Sequence, residues 1–142
     1  MASFGTGVTS DDPGGIIIGE AASTILAGDA VFKSGTTGNW AKAQSDATAT
    51  LGQVGIRGDM GVALGGALVG QRCEILIRGF LENCTALLPG AVYCVSDTVA
   101  GEVVASAALT EDTDYLCVMG ATVLATTAWI NPINTNVVVN LL

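Results

Sequence analysis

Leu26-Ala27-Gly28-Asp29-Ala30-Val31-Phe32 runs into a turn at Gly35-Thr36-Thr37-Gly38 and returns as Asn39-Trp40-Ala41-Lys42-Ala43. The pattern comes back as Leu88-Pro89-Gly90-Ala91-Val92-Tyr93, a turn from Ser96 to Gly101, and Glu102-Val103-Val104-Ala105. Each copy opens on a Gly-containing bend, sets a β-branched residue beside an aromatic one, and turns back through Thr or Gly. Val, Phe and Tyr suit a pleated, half-buried surface, and Gly supplies positive φ in tight turns. Two copies of one hairpin signal make the chain β-rich.

The rest of the sequence extends that reading. Arg72-Cys73-Glu74-Ile75-Leu76-Ile77-Arg78 alternates, with Cys73, Ile75 and Ile77 on one side and Arg72, Glu74, Leu76 and Arg78 on the other. Ile16–Ser23 begins the body, and Gln53–Arg57 reads as a further strand. Met60–Gly70 is nearly all Gly, Ala, Val and Leu; Gly61, Gly65, Gly66 and Gly70 each weaken a helix by about 1 kcal/mol relative to Ala, so a strand leading into a bend is preferred. Ala105–Asp114 is a connector in which Thr110 can cap one helical turn. Tyr115–Thr122 and Asn136–Leu141 read as the last strands, linked through Trp129-Ile130-Asn131-Pro132. No segment holds a long helical period. The expected fold is all-β, a small barrel or sandwich of about eight to ten short strands.

Met1–Gly15 is polar and Gly-rich and ends in Asp11-Asp12-Pro13-Gly14-Gly15. It reads as a flexible arm ahead of a single β domain over residues 16–142, with a reach of about 45 Å if fully extended.

Composition narrows function. Half of the 142 residues are hydrophobic but only 13% are charged, against roughly 25% in an ordinary soluble domain. So small a charged fraction suggests surface that is buried against other subunits. The net charge of −8, with Lys33, Lys42, Arg57, Arg72 and Arg78 scattered, argues against a nucleic-acid partner. Gly120, Asn131-Pro132, Asn134, Asn136 and Asn140 interrupt the longest uncharged stretch, and no basic residue precedes an apolar run near the N-terminus. Neither a membrane span nor a secretory signal is expected.

Chemistry-bearing patterns are sparse. There is no histidine, no lysine with an evident nucleophilic partner and no Gly-x-Ser-x-Gly elbow, so no catalytic constellation is visible and the chain reads as a non-enzyme. Gly65-Gly66 lacks the Gly-Lys-Ser/Thr ending of a phosphate loop. Asp11-Asp12 and Asp112 with Asp114 lack the spacing of a calcium loop and read as solvated loop acids. Arg57-Gly58-Asp59 is the integrin tripeptide but also ordinary turn chemistry. Cys73, Cys84, Cys94 and Cys117 have no zinc spacing; buried free thiols, disulfides formed outside the cell and a metal site stand as readings, and the missing signal supports the first. No cofactor is expected. Trp40 and Trp129, with Phe32 and Tyr93, suit either a sugar-stacking face or core and subunit contacts.

The order of these pieces resembles the small capsid decoration (cement) proteins of tailed bacteriophages. The matching features are Leu26–Val31 opening a hairpin, Leu51-Gly52-Gln53-Val54-Gly55-Ile56, an Ala/Gly stretch, Gly70-Gln71-Arg72-Cys73-Glu74-Ile75-Leu76-Ile77-Arg78-Gly79, Leu88–Tyr93, the turn at Gly101, and Val118-Met119-Gly120-Ala121. The four cysteines depart from the pattern. The resemblance implies a compact β-barrel or sandwich on the outer face of an expanded HK97-type shell, commonly a trimer at local threefold positions. It implies the major capsid protein and further copies of the chain as partners, manufacture in the host bacterial cytoplasm and residence on the virion. Candidate contacts on that reading are Phe4 and Val8 in the arm, Met60, Leu64 and Leu68, and Trp129, Ile130 and Pro132. The alternatives are a tail or surface adhesion module that binds carbohydrate, and a biotinyl- or lipoyl-type carrier domain. The carrier needs a lysine at a hairpin tip, and Lys33 lies before its turn.

Overall fold

The computed structural model describes residues 3–34, 37–44, 60–96, 98–108 and 115–138. Ten strands run β1 (Ile16–Glu20), β2 (Ala30–Lys33), β3 (Trp40–Lys42), β4 (Met60–Ala63), β5 (Arg72–Leu76), β6 (Gly79–Leu81), β7 (Val92–Val95), β8 (Val103–Ala105), β9 (Tyr115–Leu124) and β10 (Thr127–Val138). They form two antiparallel five-stranded sheets, ordered β1-β5-β4-β2-β3 and β6-β10-β9-β7-β8, which pack as a sandwich. The all-β expectation holds, in its sandwich form. Gln53–Arg57, Arg57-Gly58-Asp59 and the Thr110 cap lie outside the described residues.

Both expected hairpins form. β2 pairs with β3 through Val31–Lys42, Phe32–Ala41 and Lys33–Trp40, and β7 pairs with β8 through Tyr93–Ala105, Cys94–Val104 and Val95–Val103. Gly28 and Gly90 open them at φ +88° and +72°, a region an L side chain rarely enters.

The two sheet orders share one topology: advancing every strand of the first by five gives the second. Hydrogen bonds repeat as well. The Gly28 amide donates to Ala63 and the Gly90 amide to Thr122; the Ala63 amide donates to Asp29 and the Thr122 amide to Ala91; the Ile25 amide donates to Ala67 and the Leu87 amide to Ala125. Ala30–Val62 and Val31–Gly61 correspond in register to Val92–Ala121 and Tyr93–Gly120. The repeated hairpin is thus one corner of a repeated five-stranded unit.

The two units meet through opposite faces. In the first sheet Ala30, Val62 and Leu76 point into the sandwich core. At matching positions the second sheet turns Val92, Ala121 and Trp129 outward and packs with Tyr93, Ala128 and Ile130 instead. The first sheet's other face (Val31, Ala63 and Ile75) is closed by Trp40, Ala21, Ile25 and Ala67 in a second apolar cluster. Among the described residues the first sheet is therefore covered on both faces and the second on one.

Two expectations are corrected. From Ser3 to Gly15 the N-terminal segment lies on the body: the Phe4 amide donates to Gly28, Thr9 and Glu82 exchange backbone hydrogen bonds, and the Phe4 ring packs 6.2 Å from Tyr93. Phe4 and Val8 supply the apolar anchors that Gly-rich composition concealed. Trp129-Ile130-Asn131-Pro132 lies within β10 and is no linker. Asn131-Pro132 sits where the β9–β10 register shifts between Ile130 and Ile133, a bulge that admits a residue without an amide proton.

Candidate interaction surface

The outward row of the second sheet is an apolar feature of the described surface. Phe80 on β6 stands opposite Trp129 on β10, Trp129 opposite Ala121 on β9, and Ala121 opposite Val92 on β7. All four are exposed, Phe80 by 44%, Trp129 by 36% and Val92 by 41%. Period-2 alternation produces the row: Gly79, Leu81, Ala128 and Ile130 point inward and leave their neighbours outward. Phe80 and Trp129 meet edge to face, ring centroids 4.9 Å apart, so each limits the freedom of the other. Val123, one alternation beyond Ala121, extends the patch.

A shallow hollow of about 270 Å³ adjoins this row, lined by Trp129, Arg78 and the turn Asp12–Gly15. The Asp12 carboxylate accepts the Phe80 amide at 2.6 Å, which fixes the N-terminal segment to the edge strand. A second apolar edge lies at the other hairpin, where the exposed Leu26 and Leu68 border a hollow of about 280 Å³.

The sequence-predicted contacts divide sharply. Phe4, Val8, Met60 and Ile130 are buried in the sandwich core and offer no side chain to a partner of the folded chain. Leu64 and Pro132 are half-buried, whereas Leu68 and Trp129 are exposed. Phe80, Val92 and Val123 belong to the same surface as Trp129 and were not singled out by sequence; the alternation around Gly79 and Leu81 is the signal that finds Phe80. Of the two tryptophans only Trp129 can stack on a ligand, because Trp40 is 2% exposed.

Titratable groups are few at these surfaces. Cys73, Cys84, Cys94 and Cys117 are buried, and burial pushes Cys84 and Cys94 up to about 11, so both thiols stay protonated at neutral pH. Among the described residues no three His, Cys, Asp or Glu side chains converge on one point. No family model, curated protein or solved structure matches the chain.

Asp29 carries the described residues' ion pair, with Lys42 Nζ 3.6 Å from its Oδ2, which also accepts the Leu26 amide at 2.9 Å. The turn of the second hairpin locks onto this corner: the Ala30 amide donates to Gly101 and the Gly101 amide to Ala43. Burial raises the Asp29 pKa, outweighing the Leu26 amide and Lys42, which pull it down. The folded chain therefore holds this proton more tightly than the unfolded chain does. Asp29 favours folding most below the unfolded value of about 3.9, and that contribution is lost as pH rises through the raised folded value. Asp29→Asn keeps an acceptor for Leu26 and should remove this dependence. Urea midpoints at acid and neutral pH should show the wild-type chain losing ground to Asp29→Asn as pH rises; parallel profiles would refute the assignment.

Proposed function

We propose that this chain is a structural virion protein that binds the outer surface of an expanded HK97-type phage capsid and stabilises it by bridging capsomers. Two things support the reading: the sequence resemblance from about Ala22 to Val139, and the bare apolar row Phe80–Trp129–Ala121–Val92 on an acidic, sparsely charged chain. The row is the observation that carries it. Apolar rows of this kind mark surfaces that are covered in an assembly.

In this mechanism shell expansion exposes positions where several coat subunits meet. The protein binds only that form and stabilises it by mass action, as any ligand selective for one state does. The major capsid protein is the first partner, and three copies meet around a local threefold position. The exposed contacts for that role are Leu68 and Trp129 rather than the buried Phe4, Val8, Met60 and Ile130.

Purified protein mixed with compact and with expanded undecorated shells should co-sediment, saturably, with the expanded shells alone. Binding to neither form would sink the proposal. One observation favours the adhesion alternative: the Trp129 face, the Arg78 guanidinium and the Asp12 carboxylate line one hollow, which suits a saccharide. Quenching of Trp fluorescence by glycans, abolished in Trp129→Ala, would support that reading in its place.

A further inference from the structure

The apolar row of the second sheet has a counterpart within the same chain, and the counterpart is covered. Phe80, Trp129, Ala121 and Val92 correspond, strand for strand, to Ile16, Leu76, Val62 and Ala30. In the first unit that row packs against the face of another five-stranded sheet, the second unit. Among the described residues no third sheet lies against the second unit. Its row is bare for want of a third layer.

The charges beside the row identify the layer. Arg78 and Glu82 are both exposed and flank the edge strand Gly79–Leu81, two residues before and two residues after Phe80. Among the described residues neither is in an ion pair; the pair found there is Lys42–Asp29. A two-fold axis running along the row would lay Phe80 on Phe80 and Trp129 on Trp129 of a second copy, with the facing strands antiparallel. The same operation places Arg78 of each copy over Glu82 of the other. A two-fold interface must be self-complementary in this way, and an aromatic centre between opposite charges satisfies the condition. Sheets packed face to face are also the arrangement already present inside the chain.

We infer that the Phe80–Trp129–Ala121–Val92 face docks a second copy of this chain about a two-fold axis, with reciprocal Arg78–Glu82 pairs at its rim. This contact rests on the reading of the row as a surface covered in an assembly but requires no shell; on a capsid it would join one trimer to the next and leave Leu68 to face the coat protein.

Sedimentation velocity of the full chain, from micromolar to millimolar concentration, tests the contact. The wild-type chain should associate reversibly, and Trp129→Lys should leave it monomeric at every concentration. Arg78→Glu and Glu82→Arg should each weaken association by about tenfold, because each reversal acts twice across the axis. The double variant Arg78→Glu/Glu82→Arg rebuilds both pairs with signs exchanged and should restore association to near the wild-type level. Near-UV circular dichroism on each variant separates a lost contact from a lost fold, and both charge reversals lie at exposed sites. A wild-type chain that is monomeric throughout overturns the proposal. So does association that ignores the single reversals, or a double variant no better than either single one.

Discussion

Trp40→Ala is expected to lower the stability of the chain by about 3–5 kcal/mol, the range for truncating a fully buried large aromatic. Trp40 starts β3 and is the largest member of the cluster that closes the first sheet. The fit around it is close: a methyl group built on Gly19 would sit 2.3 Å from the ring, so Gly19 is the residue over which the indole lies. Removal of the ring leaves Val31, Ala63 and Ile75 facing a cavity that rigid strands cannot close. Trp129→Ala is the internal comparison, since that ring is exposed and loses mainly its contact with Phe80, worth about 1 kcal/mol. Urea denaturation of the two variants should separate them by at least twofold in free energy. Equal losses would mean that the first sheet does not depend on its outer cover.

The hairpins were legible because their signals are local. Gly28 and Gly90 mark bends whose positive φ needs glycine, and the β-branched and aromatic residues that follow declare strands. The Arg72–Leu76 alternation likewise shows directly as Cys73 and Ile75 on one face and Leu76 on the other. The larger repeat was not legible, for two physical reasons. The connection from β4 to β5 spans residues 64–71 whereas that from β9 to β10 is a tight turn at Ala125 and Thr126, so equivalent residues fall out of step along the chain. The units also pack by opposite faces, so equivalent positions experience opposite demands: Leu76 fills a core and Trp129 meets solvent. Sequence similarity has little to preserve under those conditions.

The same inversion explains the mixed outcome for the surface residues. Trp129 and Ile130 are neighbours on one strand and the sequence offers both as contacts, yet a pleated strand can expose only one of them. Which one depends on the face used against the first sheet, a tertiary fact that no local pattern encodes. Phe4 and Val8 are buried for a related reason: two apolar residues among Gly, Ser and Thr suffice to anchor a segment when a core has room for them.

Gly120→Ala should be among the most damaging single methyl additions available in this chain. A Cβ at Gly120 would lie 2.0 Å from the Trp129 carbonyl oxygen and 3.0 Å from its carbonyl carbon, and both are backbone atoms of the paired strand. A side chain could rotate away, but β10 can yield only by leaving β9, with which it shares the longest ladder of the second sheet. Overpacking in a tight interior costs about 1–3 kcal/mol, and the upper end or beyond is expected where backbone must move. Gly61, the counterpart of Gly120 in the first unit, should be milder. Its nearest obstacle is the Ile75 Cγ2 at 2.6 Å, which can shift, although the Leu76 carbonyl oxygen follows at 2.7 Å. Gly65→Ala supplies the contrast, because nothing lies within 4 Å of its added methyl and its φ is not positive. That variant should be neutral or gain about 0.5 kcal/mol through a less flexible unfolded chain. Thermal denaturation of the three should therefore rank Gly120→Ala below Gly61→Ala and both below Gly65→Ala. Because Trp129 lies on the strand that Gly120→Ala displaces, this variant should also break the Phe80–Trp129 contact, and a near-UV dichroism signal lost in step with stability would show that the closeness of β9 and β10 at Gly120 holds the outward row in place.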